Sequence, residues 1–264
     1  VEFKLQMLNC DIEDSPEAVR MPLVSQTSER LKLRYQVCMF VLTYTSYSLL
    51  HFTKGGWSIL KTDVERDVPP GLGWEHSNNL GYIDFTFLLS YAVGLYISGM
   101  LGDNFPIRVI LPIGYLLACG AIVLISFGGT WGIQSVWFYT AVFCISGLCH
   151  SVGWPNCIAV MGNWISKDRR ELILGIWCTC TNFGNIGGNV LANLLRDGLG
   201  MDWMWTYRVI GILVGACGVA NFLLLVDHPS KVGIRVQDEG HEKVTTKPAN
   251  DNLIRVGNEE THRS

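Results

Sequence analysis

Between Arg108 and Lys167 the chain carries no Asp, Glu, Lys or Arg, so residues 109–166 form an uninterrupted run of 58 uncharged positions. As a single helix that run would be roughly 85 Å long, against a bilayer core of about 30 Å. It must therefore fold back on itself, and GGTWGIQ (Gly128–Gln134) supplies the turn-forming residues. Composition agrees: 16% of the residues are charged, where soluble domains carry about 25%. The expected class is an all-α, multi-pass membrane protein embedded in a lipid bilayer.

Six apolar segments are long enough to span, near Tyr35–Gly55, Tyr82–Leu101, Ile107–Phe127, Ser135–Asn163, Glu171–Leu195 and Trp203–Val226. Trp131, Trp137, Trp164, Trp203 and Trp205 fall near their ends, where interfacial aromatics are expected. The organisation expected is a polar cytoplasmic segment over 1–34, a six-helix bundle over 35–226 and a polar, disordered tail or interdomain linker over 227–264. With the N-terminus inside, 15 of the 20 Lys and Arg lie on the cytoplasmic side, including RLKLR before the first span and KDRR before the fifth. Both termini are thus expected in the cytoplasm. The first residue is Val rather than Met, which points to a fragment or an incomplete gene model. The polar N-terminal stretch is not a cleavable signal peptide.

Polar residues inside the spans are the functional candidates, because polar side chains in a bilayer face protein or a water-filled cavity. Thr43, Tyr47, His51, Lys54 and Ser58 share one face of the first span. That face reads either as the lining of a cavity or as a helix end from which Lys54 snorkels to headgroups. Asn182, Asn185, Asn189 and Asn193 form a second stripe beside the small series Cys180, Gly184 and Gly188, which suits close helix packing. GLCHSVGWPNC in the fourth span combines His150, Gly153, Trp154 and Pro155, as a helix bending beside a cavity would. His150 itself reads as a bonded core histidine, and Asp84 as a helix cap. The nine cysteines lie mostly in apolar runs and read as small packing residues. Metal-ligand spacing is lacking, as are a Ser-His-Asp-like set and paired intramembrane aspartates, so no metal, no cofactor and no enzyme chemistry are expected. Nucleic-acid binding is not indicated.

The turn GMLGDNFPIR, with Gly99, Asp103 and Arg108, resembles the signature between spans two and three of the major facilitator superfamily, with Asn104 where a basic residue is usual. Within that superfamily, GWPNCIAVMGNW, RRELILGIW, GNIGGN and DHPSKVGI, in this order, resemble the organophosphate:phosphate antiporters, with sugar-phosphate exchangers and glycerol-3-phosphate permeases nearest. The similarity runs from about Arg34 to Ile234 and covers one six-span half of such a fold. It implies a substrate site on the first span, where the family's Arg-Lys pair binds phosphate. Lys54 stands at the arginine position and Gly55 at the lysine position. His51, Tyr47, Tyr91 and Trp154 match family positions facing the cavity, and Cys180 stands where the family has a substrate-responsive histidine. Gly99, Asp103 and Arg108 would serve the conformational change.

The function implied is organophosphate (sugar-phosphate or glycerol-3-phosphate):phosphate antiport by half of a transporter. Its partners would be a small anionic substrate and a second six-helix half or a second copy, in the endoplasmic reticulum or another endomembrane. The alternative is a non-transporting relative with a binding or regulatory role.

Overall fold

The computed structural model describes the backbone of residues 17–75 and 77–234, with side chains from residue 29 onward. The remainder of the expected tail, 235–264, lies outside the described residues. Every long element is a helix: α1 Glu17–Glu65, α2 Asn79–Asn104, α3 Ile107–Thr130, α4 Val136–His150, α5 Gly153–Trp164, α6 Lys167–Cys178, α7 Cys180–Asn193 and α8 Trp203–Leu224. Helix α4 runs into α5 through a single turn and α6 into α7 at Thr179, so the eight helices make six spans. Four of the six, α2, α3, α4 with α5, and α8, are long and apolar enough on composition alone to cross a membrane. The first and fifth carry the polar stripes that lower their hydropathy.

The helices pack in three principal pairs, α1 with α7, α2 with α4, and α3 with α8. Each pair meets along a seam of small residues, which lets backbones approach closely where lipid offers no hydrophobic drive for association. A Cβ on Gly184 would lie 2.4 Å from the Ser48 carbonyl oxygen, and one on Gly188 would lie 2.3 Å from that of Phe52. These are the close approaches expected of the Cys180, Gly184, Gly188 series. Ser90, Gly94 and Ser98 form the equivalent buried strip of α2, facing Gly147, Ser151 and Asn156, and Asn156 Nδ2 donates to Ser98 Oγ at 3.0 Å. In the third pair Gly211, Gly215 and Gly218 take Ile122, Cys119 and Tyr115.

The helix that holds the first span runs beyond Tyr35–Gly55 at both ends. Helix α1 has 49 residues and continues to Glu65. Gly55 and Gly56 do not break it, because their missing side chains serve packing. A Cβ on Gly55 would stand 2.3 Å from the Asn185 carbonyl oxygen, and one on Gly56 would stand 2.4 Å from Ile210. The fold-back does fall in GGTWGIQ, where α3 ends at Thr130 and α4 starts at Val136. The helix break in the fourth span lies at Ser151–Val152, with Pro155 in the first turn of α5, where its missing N–H costs no helical bond.

The tryptophans divide. Trp131, Trp137 and Trp205 are exposed, whereas Trp164 and Trp203 are fully buried. Burial follows from partners for the indole N–H: Trp164 Nε1 donates to the Val226 carbonyl at 2.6 Å and Trp203 Nε1 to that of Pro70 at 2.8 Å. Trp164 also stacks on Tyr35 and helps bind the chain leaving α8, whose short 3₁₀ turn Pro229–Val232 follows.

Candidate functional site

One helix face organises the cavity. Tyr47, Lys54, Trp57 and Lys61 follow one another on α1 at spacings of seven, three and four, which keeps them aligned along one side. Together with Thr53 of α1, Asp84, Phe87 and Leu88 of α2, Phe143 of α4 and Tyr207 of α8, the last three of these α1 residues line a cavity of about 180 Å³. Lys54, half-buried, projects its ammonium over the Tyr91 ring at 4.3 Å and lies 5.5 Å from the centre of Phe87. Cation–π contact of this kind stabilises an ammonium modestly and leaves its three N–H donors available. Among the described residues Lys54 makes neither a hydrogen bond nor an ion pair.

Below the lysine lies an aromatic box. The hydroxyls of Tyr47 and Tyr91 share a hydrogen bond at 3.1 Å. The Tyr47 ring stacks on Trp177 at 5.5 Å and meets Trp154 at 5.4 Å, and the two tryptophans stand 5.6 Å apart. The bend between α4 and α5 delivers Trp154, and the break between α6 and α7 delivers Trp177. Trp177 Nε1 donates to Thr43 Oγ1 at 3.1 Å, which fixes its plane. None of these four rings lines the 180 Å³ cavity; Tyr47 and Trp177 are buried, whereas Tyr91 carries the Lys54 ammonium on its face.

Of the residues singled out from sequence, Tyr47, Lys54, Tyr91 and Trp154 converge here. His51 packs edge-on against Tyr47 at 4.8 Å but is 8% exposed and lies against Gly184 of α7, with Nδ1 unpaired. Cys180 is fully buried in the α1–α7 seam, where its carbonyl accepts from Ser48 Oγ at 3.1 Å. The five-residue stripe divides because α1 packs on α7 along one edge of it: Thr43 is buried and bonded to the Met39 carbonyl, while Ser58 is exposed. Trp57 and Lys61 continue the cavity face instead.

Asp84 is no helix cap. Lys61 forms an ion pair with one of its oxygens, and Trp57 Nε1 donates to the other at 3.0 Å. Phe87, Trp177, Trp57 and Lys61 escaped the sequence reading; a heptad-spaced count from Lys54 would have found Lys61. His150 is a core residue, with Nδ1 donating to the Ser146 carbonyl at 2.7 Å and Nε2 standing 2.9 Å from Thr53 Oγ1.

Gly99, Asp103 and Arg108 lie apart from the cavity, at the two-residue connection Phe105–Pro106 between α2 and α3. Asp103 in the last turn of α2 and Arg108 in the first turn of α3 are both exposed. Each charge opposes the local helix dipole, a cost of about 0.3–1 kcal/mol apiece at low ionic strength. The close approach in this turn is at Gly102, where a Cβ would meet Asn156 Oδ1 at 2.5 Å, whereas Gly99 faces open space.

Comparison with known proteins places this arrangement. The family described as the Major Facilitator Superfamily matches residues 37–256. A chain of Arabidopsis thaliana named for glycerol-3-phosphate transport is 33% identical over 210 residues, covering 75% of this chain and 42% of its own length. A glucose-6-phosphate exchanger of Danio rerio is 32% identical over 234 residues, covering 81% of this chain and 47% of the exchanger. A human glucose-6-phosphate exchanger is 32% identical over 232 residues, covering 75% and 43%. The chain thus spans about half the length of the curated relatives it matches. A helical, multi-pass membrane chain with this family match belongs to the major facilitator superfamily.

Proposed function

We propose that the chain is one six-helix half of a transporter that exchanges an organophosphate for phosphate, with Lys54 as a phosphate ligand. One observation carries this reading: an intramembrane ammonium held over the Tyr91 ring at 4.3 Å, opening on a cavity and with no carboxylate of its own among the described residues. A desolvated cation without a counter-ion is costly in a membrane, and an anionic substrate would remove that cost. Tyr47 and Tyr91 would orient the phosphate, and Trp154 would pack against the substrate body. His51 and Cys180 would act from behind the cavity wall. The similarity to relatives named as transporters and exchangers supports transport rather than catalysis.

Exchange needs a second bundle for the first to rock against, supplied by a further six-helix half or a second copy. Gly99, Asp103 and Arg108 would serve that motion. Charges placed against their helix dipoles stabilise this half poorly, which suits partners found across the bundle interface. The Lys and Arg distribution favours cytoplasmic termini, and the likeness to sugar-phosphate exchangers favours an endomembrane. The 35–226 bundle is the functional unit, flanked by segments 1–34 and 227–264.

The test is binding of glucose-6-phosphate and inorganic phosphate to the purified chain in lipid nanodiscs, read by tryptophan fluorescence. Lys54→Ala should weaken both by about 10–100-fold, as the loss of a charge-assisted contact predicts. Unchanged affinity would remove Lys54 from the site and leave a non-transporting role as the better reading. Liposomes carrying this chain as a monomer should show no phosphate exchange; robust exchange by the monomer would overturn the half-transporter reading.

A further inference from the structure

The cavity holds more charge than Lys54. Lys61 lies two helical turns further along the same face of α1 and lines the same 180 Å³ space. Its ammonium is occupied by Asp84, which is held independently by Trp57 Nε1 at 3.0 Å. We propose that Lys61 is the second cation of the anion site and that Asp84 is the counter-ion it exchanges for the phosphate. The inference rests on the reading of Lys54 as a phosphate ligand.

Three features support it. First, a second cation cannot stand beside Lys54 at position 55, because a side chain there would run into the Asn185 backbone. The cavity wall, not the neighbouring residue, must supply it. Second, Asp84 would not be stranded when Lys61 leaves, since its other oxygen keeps the indole donor. Its side chain is 35% exposed, so without Lys61 the carboxylate keeps one donor and is reached by solvent rather than left as a buried charge. Third, the two lysine stems differ in freedom. Lys54 is pinned over an aromatic ring, whereas Lys61 is partly exposed and its four-carbon stem can swing towards the cavity centre. Without ligand the lysines and Asp84 carry a net charge of +1, and with Lys61 released towards the ligand two ammonium groups face a phosphate dianion. Asp84 then tunes affinity, because it competes with the phosphate for Lys61.

The experiment measures inorganic phosphate and glucose-6-phosphate binding to the full chain in nanodiscs, for wild type, Lys61→Gln, Lys61→Arg, Asp84→Asn and the double variant Lys61→Gln/Asp84→Asn. Glucose serves as the uncharged control. Lys61→Gln should weaken both phosphate probes by about tenfold and Lys61→Arg should retain binding. Asp84→Asn should tighten both by severalfold, and the double variant should behave like Lys61→Gln. A pair that merely latches α1 to α2 predicts the opposite pattern. Asp84→Asn would then weaken binding as much as Lys61→Gln, and both would lower the melting temperature without ligand. That result would overturn the proposal. So would Lys61→Gln with wild-type affinity while Lys54→Ala loses it, an outcome that leaves the Lys54 site standing. Absence of phosphate binding by the wild-type chain would remove the site itself.

Discussion

Lys54 and Arg208 are both cations within spanning helices, and both lie against aromatic rings, yet their surroundings differ in kind. Arg208, 9% exposed, is sandwiched between Phe127 at 4.1 Å and Trp205 at 4.2 Å. Its Nε donates to Ser126 Oγ at 3.1 Å and its Nη2 to Thr130 Oγ1 at 3.0 Å, joining α8 to α3. Lys54 has an aromatic face and no such donor contacts among the described residues. A guanidinium whose fork is matched by two hydroxyls clamps helices together. An ammonium with its donors unspent is available to something that enters. Burial and charge are therefore poor guides to function by themselves, and the inventory of partners separates the clamp from the ligand.

That contrast can be broken in several ways. The largest effect belongs to the seam behind Lys54: Gly55→Lys, which restores the family's paired cations, should drive a side chain into the Asn185 backbone. Overpacking of a tight interface costs about 1–3 kcal/mol or more, so the variant should lose thermal stability rather than gain phosphate affinity. A well-folded, tighter-binding variant would show that α1 and α7 can part. Arg208→Ala comes next, with a loss of about 1–2 kcal/mol as two hydroxyls lose their donor but keep their backbone acceptors and two rings lose their cation. Unfolding in mixed micelles would read it, and phosphate affinity of the folded fraction should be unchanged. Lys54→Ala is the mirror image, within about 0.5 kcal/mol of wild type in stability because little but ring contact is lost, yet weak in phosphate binding. If the two variants gave the same profile, the distinction between clamp and ligand would fail.

Tyr91→Phe keeps the ring under Lys54 and removes only the bond to Tyr47, so stability should fall by about 1 kcal/mol with a smaller binding loss than Lys54→Ala.

The smallest effect concerns a cation in the π-helical turn Leu194–Gly198 just past α7, bonded mainly to carboxylates. Arg196 bonds both oxygens of Asp197, at 2.8 and 3.2 Å, and reaches Asp63 at 3.4 Å. The Arg196 hydrogen bonds hold the exposed Asp197 carboxyl below its ordinary range. A depressed carboxylate adds stability above its unfolded pKa of about 3.9 and loses it as pH falls through the folded value. The gap in melting temperature between wild type and Asp197→Asn should therefore be slight at pH 7 and vanish towards pH 3. A gap that grew in acid would reverse the sign.

Much of this molecule could be read from its residues. The uncharged run 109–166, the turn in GGTWGIQ and the glycine series of the fifth span dictate a helical membrane bundle with close seams, because bilayer thickness and backbone satisfaction leave few other solutions. Lys54 and Tyr47 were legible as candidates because polar residues inside a span demand a reason, Trp154 because it sits in a Gly- and Pro-containing bend, and Tyr91 only through the family resemblance. What one helix face shows to a neighbour was not legible. The stripe from Thr43 to Ser58 shares an angular position, but α7 covers one edge of it, so His51 turns to the seam and Trp57 and Lys61 inherit the cavity. The helix continued through Gly55 and Gly56 because those glycines serve contacts with α7 and α8 that local propensity does not contain. Asp84 found Lys61 and Trp57 across 23 and 27 residues, a pairing no local rule supplies. Sequence determined that charge would be scarce and placed within reach of a cavity. Tertiary packing decided which cation is spent on a partner and which is left without one among the described residues, since only the neighbours on adjoining helices settle whether a donor is already satisfied.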